Sequence, residues 1–234
     1  MPLERLLEVT VESVDTALAA ERGGADRLEL CAELAAGGIT PPVETLRKVH
    51  EELEIPVFAI IRPRKGNFVY TDAEYASMLR AINTARDLGL DGIAVGILHD
   101  DNTVDIERTR ELVEAARPLE VTFHRAFDHT PDLLRALDDV LQTGASRILT
   151  SGGANGAPGG VAALRNLVAA ANDRITIMPG AGLHSANIAQ IAAETGAREF
   201  HSGLGTVLPY GSSNLARFES EIHAMKRTLR ASPL

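Results

Sequence analysis

The sequence has one cysteine, no tryptophan, no long apolar run and no excess of positive charge. Because Cys31 stands alone, an intrachain disulfide is excluded and a reducing compartment is favoured. The net charge of −9 disfavours broad contact with nucleic acid or anionic membranes, since both require a basic surface. Acidic residues near the start stand where a signal peptide would be apolar. We therefore predict a soluble, cytoplasmic protein without nucleic-acid or membrane partners.

Short apolar segments alternate with amphipathic ones along the whole chain of 234 residues, which is long enough to form one large core. The pattern predicts eight strands and eight helices. The strands are expected over 6–11, 27–31, 57–62, 91–96, from 121 into a polar end at 124–128, and over 147–150, 175–178 and 199–202. A helix is expected to begin at Thr130 and Pro131, and Thr71 with Glu74 forms a capping box for another.

An internal repeat indicates how these elements are arranged. Gly24, Gly89, Gly144 and Gly196 each stand where a helix should end, and each is followed by three residues and an apolar strand position. These glycines precede strands two, four, six and eight. A fourfold βαβα repeat with parallel strands predicts a (β/α)8 TIM barrel in a single domain over residues 1–234, with a doubly wound open sheet as the alternative.

In such a barrel, alternate side chains of each strand fill the interior. When the apolar positions are assigned to the outer face, an unusually polar set is left inside: Glu8, Thr10, Glu29, Cys31, Arg62, Thr122, His124, Met178, Glu199 and His201. Buried ions must pair with one another or with a ligand, because an unpaired buried charge costs several kcal/mol. Active sites of this fold lie at the carboxyl ends of the strands, so we expect a functional site there.

Four side chains are candidates for proton transfer, and each also has a structural interpretation. His124 either moves protons or is a core histidine bonded to a carbonyl. Glu8 and Glu29 either act in catalysis or serve as ion-pair partners of Arg62 and Arg64. Asp128 either takes part in the chemistry or caps the helix that follows it.

A second group of residues could bind an anion. Arg62 and Arg64 flank a proline at the end of a buried strand, where an anion site and a solvated loop both fit, and Arg125 follows His124. The turns after strands six, seven and eight could hold phosphate on backbone amides, although tight turns also favour glycine. The candidates in these turns are Ser151, Gly152, Gly180, Gly182 and Ser202.

Several of these segments together resemble the successive motifs of the CutC copper homeostasis family. They are Glu29–Cys31 with residues 37–41, then 61–64, 121–128, 149–153 and 180–182, and they span nearly the whole chain. The resemblance implies a (β/α)8 barrel, a cytoplasmic location, a role in copper handling with binding of monovalent copper, and assembly into a homodimer or higher homo-oligomer.

The candidate copper ligands are Cys31, Met178 and His201, because monovalent copper prefers thiolate and thioether donors and accepts imidazole. A cysteine such as Cys31 at a buried strand position is more often a small apolar core residue than a metal ligand.

The sequence thus supports two hypotheses. The first is a copper homeostasis protein; the alternative is a barrel enzyme of the isomerase, aldolase or lyase class acting on a phosphorylated or carboxylated metabolite. The apolar loop 203–213 would be a lid or a subunit contact.

Overall fold

The computed structural model describes residues 5–209 and 211–231. Its strands are β1 (Leu6–Val11), β2 (Arg27–Leu30), β3 (Val57–Ile60), β4 (Gly92–Val95), β5 (Glu120–Phe123), β6 (Arg147–Thr150), β7 (Thr176–Pro179) and β8 (Glu199–Ser202). Its helices are α1 (Val14–Arg22), α2 (Val43–Glu52), α3 (Asp72–Asp87), α4 (Ile106–Ala116), α5 (Leu133–Leu141), α6 (Val161–Ala171), α7 (Ile188–Thr195) and α8 (Leu215–Ala231).

The eight strands form one parallel sheet in the order β7-β6-β5-β4-β3-β2-β1-β8. Strand β1 pairs with both β2 and β8, and β7 contacts β8, so the sheet curls into a nearly closed ring. The helices follow the strands in strict alternation. The predicted TIM barrel is therefore confirmed, and the open sheet is excluded.

The repeated glycines have the backbone conformation that the sequence pattern requires. Gly24, Gly89, Gly144 and Gly196 all have positive φ, between 72° and 87°, a region that costs glycine little and other residues much more. Each lets the chain leave a helix and turn directly into the next strand. The capping box of Thr71 and Glu74 is also present at the start of α3.

The hydrophobic core lies between the strands and the surrounding helices. Val9, Leu28, Ile93 and Phe123 are among the fully buried side chains on the outer faces of the strands. The alternate positions face the inside of the ring, as predicted. Among the described residues, none of the helices combines the length and hydropathy that a membrane span requires.

The segment after β5 differs from the expectation. The strand ends at Phe123, and a 3-10 turn over Arg125–His129 follows it. Helix α5 begins only at Leu133, where Asp132 accepts hydrogen bonds from the first backbone amides. A helix start at Thr130 was therefore wrong, and Asp128 is not its cap.

Candidate functional site

Glu8 lies at the centre of the barrel interior. It is aligned across the sheet with Arg27 of β2 and with His201 of β8, so strand register alone brings the three side chains together. Its carboxylate is ion-paired with the Arg27 guanidinium and accepts a 2.6 Å hydrogen bond from His201 Nδ1. Burial alone would raise the pKa of Glu8, but Arg27 and His201 together hold it well below its usual range.

The ion pairs continue from Arg27 toward the amino-terminal end of the barrel. Arg27 also donates to Glu199 at 2.7 Å, and Arg147 joins Glu199 to Glu120, with a 3.0 Å contact to the latter. The Phe58 ring packs under both guanidinium groups, whose Cζ atoms lie 4.8 and 5.5 Å from the ring centroid. This lower layer fills the interior with paired charges and one aromatic ring.

His201 connects the lower layer to the carboxyl end of the barrel. Its Nε2 lies 2.7 Å from the Thr10 hydroxyl, which donates a longer 3.4 Å hydrogen bond to Glu29. Burial lowers the pKa of His201, but the hydrogen bond to Glu8 and the charge of Glu29 outweigh it, so the pKa is raised. With protons on both ring nitrogens, His201 donates to Glu8 and to Thr10 at once.

Glu29 is the acid without a cation of its own. The ion pairs of the network join the carboxylates of Glu8, Glu120 and Glu199 to Arg27, Arg147 and His201, whose raised pKa favours its protonated form. Glu29 is only 5% exposed, and its nearest cation is His201, at 3.9 Å. Burial therefore raises the pKa of Glu29 to about 7, although His201 opposes the shift.

A cavity of about 340 Å³ opens above this layer at the carboxyl ends of the strands. Six of the residues predicted to take part in catalysis or binding line it: Glu29, Arg62, His124, Arg125, Gly182 and His201. Leu34, Ile60, Phe68, Leu149 and Leu204 supply apolar walls. An apolar cavity with a few converging polar groups is the usual form of a small-molecule site.

The two arginines after β3 have structural partners. Arg62 is buried and donates to the carbonyl oxygens of Gly37, Gly38 and Gly66, and its Cζ lies 4.7 Å from the Phe68 ring centroid. Arg64 pairs with Glu74 at 2.6 Å and donates to nearby carbonyls, outside the cavity lining. Neither is the partner of Glu8 or Glu29; Arg27 and His201 take those places.

The carboxylate of Asp128 lies in the turn after β6 and binds its backbone amides. It accepts hydrogen bonds from the backbone amides of Ser151 and Gly153 and from the hydroxyls of Thr150 and Ser151. Arg125 pairs with it at 2.9 Å. The amides of Ser151 and Gly153 are thus already bound to an anion that belongs to the chain, and Gly152 donates to Thr150.

The remaining candidates do not line the central cavity. Ser202 donates to the Leu183 carbonyl at 2.7 Å, and Gly180 donates to the Thr150 carbonyl. Met178 accepts a 3.4 Å hydrogen bond from Arg27 in the lower layer. Cys31 is 1% exposed and packs against Ile60 and Ala94. Cys31 and Met178 thus have different surroundings, a small apolar cluster and the charged lower layer.

Sequence reasoning missed Arg27 and Arg147, the two cations that neutralise the lower layer. Arg27 stands two residues before Glu29, so the period of two that placed Glu29 inside the barrel also places Arg27 there. Arg147 holds the corresponding position two residues before the inward Leu149. Extending the alternation to the first residue of each strand would have found both.

Comparison with known proteins agrees with this geometry. The model of the CutC family matches residues 5–206. The chain belongs to the CutC family. Its relatives include the family protein CutC of Chromobacterium violaceum, 45% identical over 86% of this chain and 81% of the relative, and that of Xanthomonas campestris, 48% identical over 84% and 82%.

Solved structures with the same fold support the barrel assignment. The crystal structure of CutC from Streptococcus agalactiae, a protein named for copper homeostasis, aligns with a TM-score of 0.81 at 34% identity, covering 85% of this chain and 98% of that one. Phosphoribosylanthranilate isomerase from Thermotoga maritima aligns with a TM-score of 0.64 at 13% identity, covering 97% and 98%. At that identity the likeness concerns the barrel fold alone.

Replacing Arg27 with methionine should destabilise the protein strongly. The change leaves Glu8 and Glu199 short of a buried cation, and breaking a buried pair from one side typically costs about 3–5 kcal/mol. Urea unfolding measures the loss. Arg22→Met is the matched control, because its pair with Glu219 is exposed and worth at most about 1 kcal/mol. Equal losses in the two variants would contradict the assigned role of Arg27, and adding Glu8→Gln to Arg27→Met should recover part of the stability.

Replacing Glu29 with glutamine should make stability less dependent on pH. The pKa of Glu29 is 4.5 in the unfolded chain and about 7 in the folded protein. Between pH 4.5 and 7 the folded state therefore binds a proton that the unfolded state has released. The unfolding free energy of the parent should then fall by on the order of 3 kcal/mol, relative to Glu29→Gln, as pH rises from 5 to 8. Thermal or urea unfolding at several pH values checks this, with exposed Glu51→Gln as control. Parallel profiles for parent and Glu29→Gln would refute the assignment.

Proposed function

We propose that the chain is an enzyme that binds a small carboxylated or phosphorylated metabolite in the central cavity and moves protons on it. The reaction class is that of an isomerase, aldolase or lyase. The observation that carries the proposal is the buried Glu29, whose pKa of about 7 and place on the cavity wall suit general acid–base chemistry near neutral pH.

The groups around Glu29 form a connected route for protons. Glu8 holds the His201 ring by its 2.6 Å hydrogen bond, and Thr10 lies between His201 and Glu29. A carboxylate that orients a histidine in this way also stabilises the imidazolium form. While Glu29 is ionised, it accepts from the Thr10 hydroxyl, which accepts from His201 Nε2–H, so a proton can pass from His201 through Thr10 to Glu29.

Two cations face the metabolite's negative group. Arg125 lines the cavity with a side chain that is 42% exposed, and Arg62 lines it from β3. Because Arg62 is held by three backbone carbonyls, its charge is fixed in position. Arg125 has exposed surface to offer a carboxylate or phosphate in addition to its pair with Asp128.

Anionic metabolites should therefore protect the protein from thermal unfolding. A thermal-shift panel would contain inorganic phosphate, pyruvate, 2-oxoglutarate and dihydroxyacetone phosphate; a true ligand at a hundredfold excess over its Kd adds about 2.7 kcal/mol. Arg125→Gln should weaken this protection, whereas the exposed control Arg47→Gln should not. If the whole panel leaves the melting temperature unchanged, or Arg125→Gln behaves like the parent, the enzyme proposal fails.

A role in copper homeostasis is the second candidate, favoured by the name of the Streptococcus agalactiae relative. The described side chains around the cavity fit a monovalent copper site poorly, because such a site prefers thiolate or thioether donors and the cavity lining contains neither a cysteine nor a methionine. Burial raises the pKa of the Cys31 thiol well above its usual range, so the thiolate is disfavoured. Among the described residues, the cluster with metal-ligand spacing is Glu8, Glu29 and His201, within 4.8 Å, and it offers mainly oxygen.

Titration of the reduced protein with Cu(I), in competition with bicinchoninate, separates the two candidates. Because Cys31 is buried in an apolar cluster and burial disfavours its thiolate, we expect weak binding that Cys31→Ser leaves unchanged. Cys31→Ala serves as a control for the loss of packing. Tight binding to the parent that disappears in Cys31→Ser would instead establish Cys31 as a copper ligand and return copper handling to first place.

The loop at 203–213 contributes to the cavity wall. Leu204 and Leu208 are 2% and 6% exposed and turn toward the barrel, while Tyr210 lies outside the described residues. A lid role for this loop is part of the proposal, because Leu204 and Thr206 line the cavity. The cytoplasmic location and the homo-oligomer stay predictions from the sequence.

A further inference from the structure

His124 is held in a single tautomer by the turn that follows β5. The backbone N–H of Ala126 donates to His124 Nδ1 at 3.2 Å, so Nδ1 is an acceptor and carries no proton. A neutral imidazole has one N–H, which must then be at Nε2. The 3-10 turn over Arg125–His129 thus sets which nitrogen of His124 can donate.

The packing of the ring determines which edge is available to a ligand. A Cβ at Gly96 would lie 2.5 Å from both Nδ1 and Cε1 of His124, so this edge of the ring lies directly against the backbone just after β4. Because His124 lines the cavity and Nδ1 is occupied, Nε2 is the ring nitrogen through which it would bind a ligand there. Nε2 is buried and has no hydrogen-bond partner among the described residues. A buried N–H without a partner is uncommon and points to a missing acceptor.

The charges around His124 keep it neutral and favour an acceptor that gains negative charge. Burial, with the nearby charges of Arg62 and His129, lowers the pKa of His124 to about 3. Phe68 packs against it with ring centroids 5.1 Å apart and also contacts the Arg62 guanidinium. A neutral N–H beside a fixed cation suits an oxygen that becomes an oxyanion.

We propose that Nε2–H of His124 binds the carbonyl oxygen of the substrate, which is therefore an anionic aldehyde or ketone. The inference rests on the proposed enzyme function and narrows its substrate class. Glu29 takes the proton from the carbon next to the carbonyl, and the C–H electron pair becomes a carbon–carbon π bond. The carbonyl π pair moves onto oxygen, where His124 donates to the resulting enolate. Reprotonation on carbon by Glu29 completes a proton transfer that needs no oxidant or reductant.

The tautomer can be measured without any ligand. In protein labelled with 15N at histidine, the His124 signals, assigned by their loss in His124→Gln, should show a protonated Nε2 and an unprotonated Nδ1. They should not change between pH 5 and 9. A proton on Nδ1, or conversion to imidazolium in this range, would overturn the proposal whatever the substrate is.

Pairs of compounds that differ only at the carbonyl test the substrate class. The probes are pyruvate against lactate and dihydroxyacetone phosphate against glycerol 3-phosphate, with Kd measured by calorimetry. In the parent, the carbonyl member of at least one pair should bind about tenfold more tightly or better. His124→Phe should bind both members equally, and His124→Gln, which keeps a side-chain N–H, should retain part of the preference.

The outcomes separate this inference from the proposed function. If anions bind and depend on Arg125 but show no preference for the carbonyl member, the role of His124 is refuted while the anion site stands. If the preference persists in His124→Phe, another group binds the carbonyl and the inference is equally refuted. If neither pair binds to the parent, both this inference and the anionic substrate class are rejected.

Discussion

The barrel depends on the neutralisation of charge at its centre, where Glu8 meets Arg27 on one neighbouring strand and His201 on the other. Removing such ions from water is costly, and only close pairing with full hydrogen bonding offsets the loss. The register of the parallel strands supplies that pairing directly, because the three residues are aligned side by side on β2, β1 and β8. The polar interior is compatible with a stable fold for this reason.

The pairing of charges in the lower layer also determines the surroundings of Glu29. Each cation of the lower layer is matched by a carboxylate, so the additional acid, Glu29, stands at the cavity with only Thr10 and a more distant His201. Burial raises its pKa to about 7, and the negative charge of Glu8 adds to the shift. Glu8 and Arg27 of the lower layer thereby influence the proton affinity of a group that lines the cavity.

Alternation along the strands predicted much of this arrangement. It placed Glu8, Glu29, His124 and His201 inside a barrel, because side-chain direction is a local property of each strand. It did not find that Glu8 pairs with Arg27 in place of Arg62, since pairing depends on which strands are neighbours and on their register. The tautomer of His124 was equally out of reach, because it is set by a 3-10 turn that replaces the predicted strand end.

The turn after β6 shows how a correct local signal can have a different use. Its amides do bind an anion, as glycine-bearing turns often do, but the anion is the carboxylate of Asp128. A ligand must therefore find its donors elsewhere along the rim, near Arg125, Gly182 and the loop after β8. Leu34, Gly203 and Leu204 also line a second cavity of about 360 Å³. Residues of this loop therefore take part in the walls of both cavities.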